Sequence, residues 1–407
     1  MRNKILKAKE LGITIVIVAL VGALLFTACA PSGSIETTKK VPIAWLAPLT
    51  GGAGPATQVA FQGFQDYIRY FNEEEGIPGI TIQFLWRDTM TARDPAISGY
   101  AALMERNVVI MLISSVSDIR ALWSRLETDQ VPILNLAMDT NDLIDPPGWV
   151  FSVWPTSGEM IGPMLDHFME NWKEDRPPKL SLFILDGPYG WPAADDITPY
   201  AEKIGYEVLP IEVCPYIVID ASTQLIRIKA NEADLVFLQQ IVTEIGPVLR
   251  DAQRLELLDE IQFASTDSGM GDAVLQLAGG GAESLLCCSA MPWFDQTQIP
   301  GIKTFLDKQL EYHGKVVEDS TILMGWIYAA LMCEVVKLAV EDVGYENIDG
   351  LTTRRVLESM DFDVDGIVRI TFGPEDRRGV TKYAVYQIRG KQRVRVSDYR
   401  EIPMIYD

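Results

Sequence analysis

The stretch Val108-Val109-Ile110-Met111-Leu112-Ile113-Ser114-Ser115-Val116-Ser117-Asp118 decides the fold. Six consecutive apolar residues read as a strand covered on both faces, and two small polar residues end it before a helix expected over 118–128. Outward from this unit the alternation repeats. Upstream, an apolar run at 41–47 leads through a Gly-rich turn (Thr50, Gly51, Gly52, Gly54) to a helix over 57–75, a strand over 80–86 and a helix over 95–106. Downstream lies a strand over 131–136. The pattern then restarts, with strands at 149–153, 180–185, 207–213, 235–238, 261–264 and 284–290 and helices at 159–173, 193–204, 222–230 and 245–258. Strands separated by helices of ten or more residues make a parallel sheet covered on both faces. Two such series in succession predict an α/β chain of two Rossmann-like lobes. A helical stretch at 299–360 and antiparallel strands over 366–396, with turns at Gly373, Pro374, Gly379 and Gly390, imply that the chain crosses back and completes both lobes.

Composition fits a globular chain. Of 407 residues 48% are hydrophobic, and 35 Lys plus Arg face 56 Asp plus Glu, a formal charge of −21. That apolar content excludes an acidic disordered chain, and five cysteines are too few for a disulfide scaffold. At about 150 residues per domain the length suggests two or three globular units. The acidity excludes broad binding to nucleic acid, which needs clustered Lys and Arg.

The one basic island lies at the start. Arg2, Lys4, Lys7 and Lys9 precede a nearly unbroken apolar run over 11–26, which ends in Thr27, Ala28 and Cys29. A positive segment, an apolar segment and small residues before a cut form a secretory signal over 1–28. The cysteine after the small pair resembles the lipobox of bacterial lipoproteins, with Phe26 where Leu is usual, and the resemblance implies lipidation at Cys29. An uncleaved signal anchor is the competing reading, disfavoured by the small residues directly before Cys29. Cleavage removes Arg2, Lys4, Lys7, Lys9 and Glu10, a net +3, and takes the formal charge from −21 to −24. Residues 29–40, rich in Pro, Ser, Gly and Thr, read as a flexible tether. The apolar run over 322–340 contains Glu334 and Lys337 at helical period and is expected to be a helix inside the body.

Reagents for catalysis are scarce. The sequence has no phosphate-cradling loop, no Gly-x-Ser-x-Gly elbow, no zinc-type His pair and no Gly-x-Gly-x-x-Gly after the first strand, and its two histidines are His167 and His313. The triplet Gly279-Gly280-Gly281 precedes a strand and reads as a loop. Cys214, Cys287, Cys288 and Cys333 lack metal-ligand spacing. Cys287 and Cys288 are adjacent in a strand and point to opposite faces, which favours packed thiols; one long-range disulfide, for instance from Cys214, stays open.

An ordered series of motifs carries a family resemblance. Ala47-Pro48-Leu49-Thr50-Gly51, Glu73-Glu74-Glu75-Gly76-Ile77-Pro78-Gly79, Asp88, Ser114-Ser115, Val131-Pro132-Ile133, Leu185-Asp186-Gly187-Pro188-Tyr189-Gly190, Asp361-Phe362-Asp363 and Ile370-Thr371-Phe372-Gly373-Pro374 span the chain. Taken together, the chain resembles the branched-chain amino-acid (type I) periplasmic binding proteins of ABC transporters. The resemblance implies one lobe over 41–154 plus 292–360, a second over 155–291 plus 361–407, and one small ligand held in the cleft between them. It also implies an ABC permease as partner, membrane attachment through Cys29, a monomer, no cofactor and no enzymatic activity.

The same resemblance proposes the site. Ser115, beside Ser114, matches the serine that binds the ligand carboxylate, a role that can coexist with capping a helix. Tyr189 matches an aromatic lining the cleft, with Trp191 close by; Trp45, Trp86 and Trp154, which end strands or begin loops, are each read as core. The hinge-loop Ala and Thr of the family fall on Met138 and Asp139, an aromatic falls near Ile241, and Asp267 matches an acidic contact. The usual Arg and Asp after the crossover strand fall on Ser152 and Ser157. Asp139 and Asp267 together suit an amine, amide or hydroxyl-rich ligand better than a plain amino acid, because a carboxylate repels a carboxylate. A sensory binding protein of the same fold, reporting to a membrane receptor or kinase, is the alternative, and an exported hydrolase ranks third.

Overall fold

The computed structural model describes residues 38–51, 54–136, 141–187, 189–215 and 217–405. Cys29 and the expected signal and tether up to residue 37, as well as Met138 and Asp139, lie outside the described residues.

Strand β1 (Lys39–Ala47) shows why two layers of helices are needed. Its residues alternate in direction. Ala44 and Leu46 join a core with Tyr100, Leu122 and Ile133, whereas Trp45 points oppositely and packs on Phe61 and Phe64 at 5.4 and 5.0 Å between ring centroids. The two aromatics belong to α1 (Gly54–Tyr70), which widens into a π turn over Phe71–Glu75 where a regular helix to residue 75 is expected. Next come β2 (Ile80–Asp88), α2 (Arg93–Met104), β3 (Met111–Ile113), α3 (Val116–Asp129), β4 (Ile133–Asn135) and β5 (Val150–Ser152). These strands form one sheet in the order β2-β1-β3-β4-β5, with β1, β3, β4 and β5 parallel. The apolar run that precedes Ser114 is buried throughout, and its ladder extends below β3, since Ala44 donates to the Ile110 carbonyl at 3.1 Å.

The second series follows as α4 (Ser157–Asn171), β6 (Lys179–Leu185), α5 (Trp191–Lys203), β7 (Glu207–Val208), β8 (Glu212–Cys214), α6 (Ser222–Ala230), β9 (Leu235–Gln239), α7 (Val242–Arg254), β10 (Gln262–Thr266), α8 (Asp272–Ala278) and β11 (Leu286–Ser289). Residues 207–213, expected as one strand, are two, because Pro210 has no N–H to give a ladder.

Three helices, α9 (Pro300–His313), α10 (Ser320–Val343) and α11 (Gly350–Leu357), return to the first sheet. α10 is largely apolar around its circumference because it is enclosed, with most residues from Ile322 to Ala339 buried. It lies backbone to backbone on α1: a Cβ on Gly325 would stand 1.8 Å from the Ala60 carbonyl oxygen, and one on Gly63 1.9 Å from that of Ile322. Trp326 fills the space beside this contact against Tyr67, Tyr70 and Phe305, and the Thr353 hydroxyl of α11 donates to the Val109 carbonyl at 2.6 Å.

A small hairpin, β12 (Asp361–Asp363) with β13 (Arg369–Thr371), stands as its own two-stranded sheet. The chain then joins the second sheet through β14 (Lys382–Arg389), β15 (Gln392–Arg395) and β16 (Arg400–Glu401). The sheet order is β15-β14-β11-β10-β9-β6-β7, with β8 on β6 and β16 on β14. β6 to β11 run parallel, and β14 turns antiparallel against β11. Before β14 the chain runs beside the exit from β5: Ser152 N donates to Arg377 O at 2.9 Å and Val380 N to Val153 O at 2.8 Å. The Arg377 side chain there, 1% exposed, pairs with Glu358 at 2.6 Å over the face of Phe151. Cys214, Cys287, Cys288 and Cys333 are buried free thiols.

Candidate ligand-binding site

In an open α/β sheet the crevice for a ligand lies beyond the carboxyl ends of the strands, where the strand order reverses. The first sheet reverses between β1 and β3. At the end of β3, Ser114 Oγ accepts the indole N–H of Trp45 at 2.7 Å. That bond occupies an acceptor position and leaves the Ser114 hydroxyl hydrogen to donate. Ser115 is the N-cap of α3: its Oγ accepts Asp118 N at 3.4 Å and lies 2.7 Å from Ser117 Oγ. Both Ser114 and Ser115 are half-buried.

The loop after β1 is pinned beside them. Asp88 Oδ1 accepts Leu49 N at 2.9 Å and Met90 N at 2.9 Å, and its Oδ2 accepts the Thr50 hydroxyl at 2.6 Å. Burial opposes ionisation of Asp88, but these donors win and hold its carboxyl below the usual carboxylate range. Asp88 and the Leu49-Thr50 turn therefore form one unit, which explains physically why those motifs occur together in the sequence. Nearby Asp118, 3% exposed, is pushed up to about 6 by burial, with the Thr89 hydroxyl pulling weakly the other way.

The second sheet reverses between β6 and β9. Gly190 makes the turn after β6 possible, since a Cβ there would meet the Leu185 carbonyl oxygen at 2.0 Å. Tyr189 is half-buried, and its carbonyl accepts Gln239 Nε2 at 3.3 Å. Trp191 opens α5, 40% exposed, with its indole N–H on Asp186 at 3.0 Å. Ile241 caps α7, 39% exposed.

Asp267 follows β10 and is half-buried. Burial pushes its carboxyl up to about 6 against the Ser268 N–H, and the Asp319 carboxylate at the N-cap of α10 adds to the rise. Tyr383 of β14, buried among Asp267, Cys288, Tyr189 and Glu159, is raised well above the ordinary phenol range by burial first and those groups second. Tyr383 thus lies within electrostatic range of both Tyr189 and Asp267. Ser152 is spent on the Trp154 carbonyl at 2.8 Å. Trp45 and Trp154 are core, and Trp86 is 44% exposed.

Sequence reasoning missed Tyr383 and Glu159. Glu159, 1% exposed, closes a capping box with Thr156 and pairs with Arg378 at 2.7 Å. The Thr156-x-x-Glu159 spacing signalled the cap, but nothing local signalled Arg378, which lies far along the chain. Among the described residues no group of three or more His, Cys, Asp or Glu is placed to hold a metal ion.

Residues 40–393 match the family described as periplasmic binding protein. The chain belongs to the periplasmic binding protein family. Members of this family bind solutes and are not enzymes. None of the curated proteins matches the sequence. Among solved structures, a branched-chain amino-acid ABC transporter protein from Thermus thermophilus with bound valine superposes with a TM-score of 0.80 at 19% identity, over 89% of this chain and 97% of that one. A fatty-acid ABC transporter substrate-binding protein from Thermomonospora curvata gives 0.74 at 18% identity, over 91% and 96%. A leucine-binding protein from Thermotoga maritima gives 0.69 at 17% identity, over 89% and 99%. The periplasmic binding protein fold that the motif resemblance implies is therefore the fold of this chain. Its two crevices differ in polarity: hydroxyl donors end the first sheet, while an acid and aromatic rings end the second.

Proposed function

We propose that this protein is an extracytoplasmic lipoprotein, anchored through Cys29, that captures a small polar or amphipathic solute between two lobes and delivers it to an ABC permease. The lobes are 41–154 plus 292–360 and 155–291 plus 361–407. Ser114, Ser115, Met138 and Asp139 serve the first lobe's side of the cleft; Tyr189, Trp191, Ile241 and Asp267 serve the other. The observation that carries the reading is the pairing of hydroxyl donors at the strand-order reversal of the first sheet with aromatic rings and a desolvated acid beyond β6 and β10 of the second. A solute with an acceptor at one end and an amine, amide or hydroxyl donor at the other satisfies both, and binding it favours the closed arrangement through contacts with each side. The relatives with valine, leucine and fatty acid in their descriptions support a transport role and a ligand of this size.

Thermal-shift screening of the protein against amino acids, their amides, polyamines and aromatic acids tests the proposal. A stabilising compound should raise Tm logarithmically with its concentration above Kd, and Ser115→Ala and Tyr189→Ala should each reduce the gain. A panel in which nothing stabilises the protein overturns the transport reading. Cys29→Ala should move the protein from the membrane fraction to the soluble one, and unchanged membrane association would remove the anchor from the proposal.

A further inference from the structure

A cavity of about 450 Å³ opens between the β12–β13 hairpin and the β14–β16 strands, and no described cleft candidate lines it. Its volume is that of a small-molecule site. The floor is apolar, formed by Ile299, Ile367, Val368 and Val380. The rim is charged, with Arg369, Lys382 and Arg395 against Asp363 and Glu401. Most of these charges are engaged. Arg369 bonds Asp361 at 2.6 Å, Lys382 contacts Glu401 at 3.1 Å, and Asp363 accepts the Gly366 N–H at 2.5 Å.

Arg395 is the exception. Its guanidinium lies over the Tyr399 ring, 5.4 Å from the centroid, and among the described residues it has no carboxylate partner. A guanidinium stacked on a ring keeps its N–H edge free, and that planar fork matches a carboxylate. In a chain of formal charge −21, a rim where cations outnumber acids marks a place that accepts an anion.

We propose that this cavity is a second binding site, for a small amphipathic carboxylate whose head group bonds Arg395 and whose apolar body lies on Ile299, Ile367 and Val380. Its walls include Ala290, just after β11, and Val380 and Thr381, just before β14. Both are segments through which the chain passes between the second sheet and the helices and hairpin around the first. An occupant therefore touches the joints of the molecule and is coupled to any rearrangement of them.

Calorimetric titration of the full chain with octanoate, and with octylammonium as the same body bearing the opposite charge, tests this site. Octanoate should bind at least about tenfold more tightly than octylammonium, and Arg395→Glu should weaken octanoate by a similar factor. Ile367→Trp, which fills the floor, should abolish binding, and Tyr189→Ala should leave it unchanged. The proposal is overturned by equal binding of the two probes, by no octanoate binding, by full binding in Arg395→Glu, or by loss in Tyr189→Ala, which would locate octanoate in the cleft. Should Ile367→Trp not fold, Arg395→Glu at its exposed position decides alone.

Discussion

At the end of the first sheet Ser114 and Ser115 offer hydroxyls steadied by Trp45 and by the start of α3. At the end of the second sheet the positions beyond the strands carry Tyr189, Trp191, Ile241 and the desolvated Asp267. Both crevices arise from the same topological event, a reversal of strand order. In the proposed function the shared backbone plan sets where a solute is met, and the side chains set what each half recognises. The scaffolds differ too. The first sheet is backed by α1 and α10, where a Cβ would stand 1.8–1.9 Å from a carbonyl oxygen, whereas in α7 of the second a Cβ on Gly246 would meet the Leu277 Cβ at 2.4 Å.

The largest effect should come from that scaffold difference. Gly325→Ala and Gly63→Ala should each destabilise by roughly 3 kcal/mol or more, because the new methyl group meets a rigid carbonyl. Helix propensity alone predicts a gain of about 1 kcal/mol for the same changes, so chemical denaturation decides by sign. Gly246→Ala should also destabilise, since the Leu277 Cβ it meets at 2.4 Å is held by the backbone of α8 and cannot turn aside.

Asp267 and Asp118 test the electrostatic contrast. Each has a folded pKa near 6, above its ordinary 3.8. Between those values the folded chain keeps a proton that the unfolded chain releases, so each group's contribution to stability falls as pH rises through that window and is level above it. Asp267→Asn has no proton to lose. Its Tm relative to the wild type should therefore climb from pH 4 to pH 6 and then stay flat; a difference independent of pH would mean Asp267 is not desolvated.

Tyr189→Ala should weaken solute binding by about 1–2 kcal/mol, as for one partly buried aromatic contact. Unchanged affinity would put Tyr189 outside the cleft. Ser115→Ala should cost roughly 0.5–1.5 kcal/mol in binding through a lost neutral hydrogen bond, together with about 1 kcal/mol of stability as a lost cap. Trp191→Phe should be smallest, below about 1 kcal/mol on either measure, since the ring is retained and only the exposed bond to Asp186 goes.

Much of this was legible because the relevant forces are local. The apolar run ending at Ile113 announced a covered strand, the serines after it announced a helix start, and Glu334 and Lys337 in an apolar run announced a core helix; each is settled within a turn or two of chain. The break at Pro210 is equally readable from its missing N–H, although residues 207–213 taken together predict one strand. The site was less legible. Arg378 pairs with Glu159, and Tyr383 feels the charges of Tyr189 and Asp267, only because β14 and the segment before it come back from the far end of the chain.

By itself, then, the sequence determined the alternation of strands and helices, the acidity of the body and the small polar residues at strand ends, since these depend on periodicity, charge and backbone stereochemistry. Only the tertiary structure decided that Asp267 is desolvated, that the Ser114 hydroxyl is left to donate, and that Arg395 lines a cavity with an apolar floor and has no carboxylate partner among the described residues. Desolvation, hydrogen-bond saturation and charge compensation are set by which distant groups arrive at the same place, and that is a property of the folded chain.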